Sequence, residues 1–141
     1  MHTSQSIEQF LRAFEHTGSR GEVSRLASCF AETFMAAGPE GARVVRAADF
    51  ALALPKRQKM FDAWGWRSTK LASIKVTEVN RRYAIAETMW QMSFACGEGQ
   101  WIDVLVGSTF LVDTEGEFRI LFYLSHQDIA SELRERGVVQ A

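Results

Sequence analysis

Residues 114–128 read TEGEFRILFYLSHQD, and the register of this stretch against the residues before it decides which way a whole sheet faces. Thr114-Glu115-Gly116 is a three-residue loop with glycine where a left-handed backbone is needed, so Asp113 should pair with Glu117 across a hairpin. From that pairing Val112 faces Phe118, Phe110 faces Ile120, Ser108 faces Phe122 and Val106 faces Leu124. One side of the last two strands is then Ile102, Val104, Val106, Ser108, Phe110, Val112, Phe118, Ile120, Phe122, Leu124 and His126. The other side carries Trp101, Asp103, Leu105, Thr109, Arg119, Tyr123, Ser125 and Gln127. The first set is almost wholly apolar, so it should turn inward, with His126 as its one titratable member.

The same β-branched and aromatic texture begins at Trp66. It predicts four strands, 66–79, 82–95, 101–113 and 117–127, separated by turns at Asn80-Arg81, Cys96–Gly99 and Thr114–Gly116. Long strands joined by tight turns form an antiparallel meander, because parallel neighbours need crossovers. Extending the register puts Ala84, Ala86, Thr88, Trp90, Met92 and Phe94 on the inner face. The outer face still holds Tyr83, Ile85, Met89, Trp101, Leu105, Leu111, Leu121 and Tyr123. That is more apolar surface than a monomer usually leaves wet, and it predicts a homodimer formed through this face.

Ahead of the sheet, Ser6 with Gln9 reads as a capping box for a helix whose stripe is Ile7, Phe10, Leu11 and Phe14, ending near Gly18. Ser19 with Glu22 reads as a second, followed by Val23, Leu26, Ala27 and Phe30. Thr33–Ala37 and Arg43–Val45 predict two short strands around the turn Gly38-Pro39-Glu40-Gly41. Ala48–Trp64 is helical in pattern, with Asp49 as its cap and either a break or a new helical turn at Pro55; Gly65 stops it. Asp128 is a good cap for a last short helix reaching Arg136.

Bulk properties bound the function. A chain of 141 residues fits one domain, 1–141, able to bury roughly 70% of its unfolded surface. Sixteen basic against 17 acidic residues leave a net charge of −1, which argues against nucleic acid as a partner. The densest basic run, Lys56-Arg57-Gln58-Lys59, reads as a solvated helix face. Cys29 and Cys96 are lone thiols without metal spacing, so neither a disulfide framework nor a structural zinc site is expected. The N-terminus lacks the basic-then-apolar pattern of a signal peptide, and no apolar run is long enough for a bilayer, so a cytoplasmic protein is the expectation.

Two helices, a short strand pair, a third helix and a long meander form an order that resembles the nuclear transport factor 2-like superfamily, in its bacterial polyketide cyclase-like (SnoaL-like) branch. The local matches are "IEQFLRAFE", "FAETFMAAGPEGARVV" and "TEGEFRILFYLSHQD". The resemblance spans nearly the whole chain and implies an α+β fold: a cone-shaped, curved antiparallel sheet wrapped around the N-terminal helices (cystatin-like architecture). It also implies a cavity for a small hydrophobic molecule at the open end of the cone. Superfamily enzymes commonly place an Asp or His in that cone as a proton carrier, without a cofactor. Here no Asp or Glu falls on the inner face of the last three strands in the expected register.

His126, with an ordinary pKa near ~6.5, is therefore the candidate proton carrier. Thr88 and Ser108 would orient a substrate, while Trp64, Trp90, Met92, Phe110 and Met35 would shape the cavity. Each of these residues also has a plain structural reading, His126 as a strand-end anchor and the rest as core. Three readings stay open: a cofactor-free cyclase, isomerase or dehydratase, a non-catalytic binder of an apolar ligand, or a dimeric assembly domain with its cavity packed shut.

Overall fold

The computed structural model describes residues 3–19 and 22–137. Along the chain run α1 (Thr3–Ser19), α2 (Val23–Ala27), β1 (Phe30–Gly38), β2 (Gly41–Arg46), α3 (Ala47–Ala63), β3 (Trp66–Glu78), β4 (Tyr83–Gly97), β5 (Gln100–Asp113), β6 (Arg119–Ser125) and α4 (Ile129–Glu135). The strands form one curved sheet in the order β2-β1-β6-β5-β4-β3. β3 through β6 is the expected antiparallel meander. The sheet as a whole is mixed, however, because β1 runs parallel to β6; the segment between them is long enough to make that crossover.

Several local expectations shift. α1 starts at Thr3, so Ser6 lies inside its first turn instead of capping it. The expected box at Ser19 involves a side chain outside the described residues. Phe30 leaves the second helix and opens β1, since α2 closes at Ser28 and Cys29 turns back to the Leu26 carbonyl at 3.1 Å. α3 runs unbroken through Pro55, although the missing N–H deprives the Ala51 carbonyl of its usual donor. Arg46 is its N-cap, and Asp49 sits within the first turn, where a negative charge suits the helix dipole. Asp128 does cap α4: its carboxylate accepts from the Ala130 amide at 3.1 Å and the Ser131 hydroxyl at 2.9 Å.

The core lies between α1 and the concave face of the sheet. Ile7 and Leu11 are fully buried in a cluster with Ala84, Ala86, Val112 and Ile120. Edge-on ring contacts continue it, Phe10 on Phe118 at 5.7 Å and Phe14 on Phe30 at 5.7 Å. A second cluster of Phe61, Met92, Phe94 and Val104 is closed by Leu133 of α4. Each such side chain contributes about 1.5–3 kcal/mol by leaving water, so α4 serves as a plug for one end of the sheet. The inner faces of β4 and β5 match the expected alternation, residue for residue.

β6 does not. The hairpin before it is longer than expected, pairing Asp113 with Arg119. Its first groups are bonded elsewhere: the Thr114 amide and hydroxyl both donate to the Arg82 carbonyl, at 2.7 and 2.8 Å. Asp113 takes a two-pronged bond from Arg82, at 3.0 and 2.9 Å, which holds its carboxyl below the usual range. Val112 then pairs with Ile120, but Leu111 pairs with Phe122, leaving Leu121 as the extra residue of a β-bulge. One inserted residue reverses every side chain after it. Tyr123 and Ser125 consequently sit opposite Phe110 and Ser108, while Phe122 and Leu124 align with outward Leu111 and Thr109.

Candidate functional site

A cavity of about 510 Å³ opens between the helices and the sheet. α1 and α2 supply Phe14, Glu15, Val23 and Leu26; α3 supplies Phe50, Leu54, Arg57 and Phe61; the sheet supplies Trp66, Thr69, Trp90, Met92, Val106, Ser108, Phe110 and Tyr123. Its size and apolar lining with a few polar groups are those of small-molecule sites. The spacing 50, 54, 57, 61 is a single helical stripe, which is how α3 turns a cation toward apolar neighbours.

Among the residues expected here, Ser108, Trp90, Met92 and Phe110 line the cavity. Thr88 does not. It is 2% exposed, and its hydroxyl donates to the Ser108 carbonyl at 2.9 Å, tying β4 to β5 behind the wall. Trp64 packs on Phe61, ring centroids 5.7 Å apart, in the second core cluster. Met35 is 41% exposed on β1, away from the lining residues.

His126 is on the other side of the sheet. The bulge at Leu121 turns it outward, where it is exposed. Its backbone N–H donates to the Gly107 carbonyl at 2.9 Å, and its Nε2 meets the Thr109 hydroxyl at 2.7 Å. The ring lies flat enough on Gly107 that a Cβ there would come within 2.4 Å of Nδ1. The expected inward imidazole is thus replaced by a surface imidazole held over a glycine, and Tyr123, expected outward at a dimer face, takes the inward place.

Two polar residues missed by sequence define the interior chemistry. Arg57 keeps the exposure expected of a solvated helix face, but its guanidinium lies 4.4 Å from the centre of the Phe61 ring and the residue also lines the cavity. Neighbouring protein atoms partly desolvate it, which lowers its pKa from the usual arginine range, an effect opposed by nearby Tyr123. Among the described residues no carboxylate pairs with it. Tyr123 stacks obliquely on Phe110 at 5.3 Å. Other polar groups on the wall are already used: Thr69 accepts from the Trp66 indole N–H at 2.9 Å, and Gln58 donates to Asp62 at 2.9 Å. Glu15 also lines the cavity and is engaged in an interaction of its own. The half-buried Cys29 thiol is pushed up by burial, against the pull of Arg119 and Arg25, which makes it a poor nucleophile.

A curved sheet closed over helices around an apolar cavity defines the protein as NTF2-like with a cystatin-like fold. Within that class, the profile of the family described as NTF2-like protein (DUF6841) matches residues 2–128, and the chain belongs to this family. No curated protein matches the sequence. Solved structures share the fold at low identity. An NTF2-like protein with a cystatin-like fold from Novosphingobium aromaticivorans is 14% identical, with a TM-score of 0.73 over 98% of this chain and 89% of that one. A protein from Xanthomonas campestris provisionally assigned as a polyketide cyclase is 19% identical, with a TM-score of 0.60 over 96% and 98%. Another from Novosphingobium aromaticivorans, provisionally assigned as a scytalone dehydratase, is 12% identical, with a TM-score of 0.66 over 86% and 81%. No helix among the described residues is long and apolar enough to cross a membrane.

Proposed function

We propose that the chain is a pocket protein whose working site is the cavity between α3 and the sheet, holding a small and largely apolar molecule. The observation that carries this reading is a cavity of about 510 Å³ walled by aromatic and aliphatic side chains. A packed-shut assembly domain would have filled that space with its own side chains. A cofactor-free cyclase, isomerase or dehydratase reaction is the second reading, favoured by the juxtaposition of Tyr123 and Arg57 in the same wall. In such a reaction Tyr123 would carry the proton and Ser108 would orient the substrate. His126 is on the wrong side of the sheet for either task.

Calorimetric titration with 2-naphthalenemethanol, a neutral bicyclic probe, tests the cavity. Saturable binding is expected for the parent and equally for His126→Ala, with at least a tenfold loss in Val106→Trp, whose indole would occupy the space, since affinity for an apolar ligand comes from this void. Absence of binding by the parent, or undiminished binding by a folded Val106→Trp, would sink the reading.

The outer face remains a candidate homodimer surface. Trp101 is 57% exposed and Leu105 51% exposed, with Tyr83, Ile85, Met89 and Leu111 half-buried on the same side. A dimer in sedimentation at micromolar concentration is expected, weakened to monomer by Leu105→Glu; a parent that sediments as a monomer contradicts it.

A further inference from the structure

Among the described residues the cavity lining carries one cation, Arg57, and one anion, Glu15. Eight of the twenty lining residues are aromatic, and among them stands the guanidinium of Arg57, a residue that keeps exposed surface and has no salt-bridge partner among the described residues. Close to the guanidinium lie an aromatic face and a phenol. Phe61, one helical turn on from Arg57, has its ring centre 4.4 Å from the guanidinium carbon, a cation–π contact. On the sheet side of the cavity, Tyr123 is a group whose charge bears on Arg57, while Glu15 is engaged in an interaction of its own. The phenolic oxygen is a donor as well as an acceptor, so an anion placed near both groups would receive hydrogen bonds from each.

We propose that Arg57 is the ligand-selecting residue of this cavity, and that the molecule it takes is a flat aromatic monocarboxylate. The carboxylate would be gripped between Arg57 and the Tyr123 hydroxyl, and the rings would lie among Phe50, Trp66, Trp90 and Met92. This rests on the cavity being the working site. Arginine suits the task better than lysine because its planar fork matches both carboxylate oxygens. Among the described lining residues Arg57 is the only lysine or arginine, which matches one negative charge and not two. A single acidic group on an otherwise apolar body is therefore the matching chemistry.

The test compares two probes that share one ring system, 2-naphthoate and 2-naphthalenemethanol, by calorimetric titration at neutral pH. The parent should prefer the carboxylate by at least about tenfold, the ratio that hydrogen bonds to a charged group are worth. Arg57→Gln should abolish that preference while leaving the alcohol bound as before, and Arg57→Lys should restore part of it. Tyr123→Phe, which keeps the ring and its packing, should reduce carboxylate binding several-fold without affecting the alcohol. A purely structural role for Arg57 would move both probes together. If the alcohol binds the parent as tightly as the carboxylate, or if Arg57→Gln keeps the preference, the inference is overturned while the cavity reading stands. If neither probe binds the parent, the cavity reading fails and takes this inference with it.

Discussion

Gly65→Ala is expected to cost about 3–5 kcal/mol, a fall of roughly 10–15 °C in melting temperature for a domain of this size. Gly65 is the hinge between α3 and β3, at φ +89°. An L-residue there incurs a left-handed strain of about 1–2 kcal/mol, but the larger part of the effect is steric. A Cβ would fall 2.4 Å from the carbonyl oxygen of Ala95, which is backbone. That backbone cannot withdraw. Ala95 donates to the Gly65 carbonyl at 2.8 Å and is paired on its other side with Trp101, while the next residue, Trp66, is already paired with Phe94. Gly116→Ala provides the control, because φ there is +71° and nothing lies within 4 Å. It should lose about 1 kcal/mol, the conformational part alone. Urea unfolding of the two variants separates strain from collision; equal losses would show that α3 and β4 are not locked together at Gly65.

That hinge was legible before the structure, and the reasons show what a sequence can disclose. Gly65 follows a helical pattern and precedes a β-branched one, and a change of period with a glycine between marks a boundary. The meander and the inner faces of β4 and β5 were readable because apolar and polar residues alternate there, as in Ala84-Ile85-Ala86-Glu87-Thr88. β6 offers no such contrast. Ile120, Leu121, Phe122, Tyr123 and Leu124 are all apolar or aromatic, so either phase looks acceptable and an inserted residue leaves no trace. The choice is made by tertiary demands: β6 is central, pairs antiparallel with β5 and parallel with β1, and must bend to follow both. One undetected bulge moved His126 out of the candidate site and brought Tyr123 in. Arg57 was hidden differently. Its neighbours Lys56 and Lys59 made it look like part of a charged surface, although its spacing from Phe50, Leu54 and Phe61 placed it on the inward stripe. Both signals were true of the residue: it keeps exposed surface and also lines the cavity.

Truncating Phe110 joins the core and the site in one experiment. Phe110→Ala is expected to cost about 4 kcal/mol, since removing a buried aromatic ring loses both its transfer energy and the contacts around it. The ring is 1% exposed and touches three others: Phe14 at 5.9 Å, Trp90 at 6.5 Å and Tyr123 at 5.3 Å. It lies at the back wall of the cavity, so the void left behind would adjoin existing space instead of being sealed in the core. Apolar voids of this kind admit benzene, and ligand bound only by the folded state stabilises it by mass action. Saturating benzene should therefore raise the melting temperature of Phe110→Ala more than that of the parent. Loss of the ring also removes the surface on which Tyr123 rests, so the phenol should no longer be held toward Arg57 and the naphthoate preference should decline with stability restored. A cost below about 1.5 kcal/mol would mean the ring contacts are not packed as described. No differential benzene effect would mean the back wall and the cavity are separate, and Phe110 would then belong to the core alone.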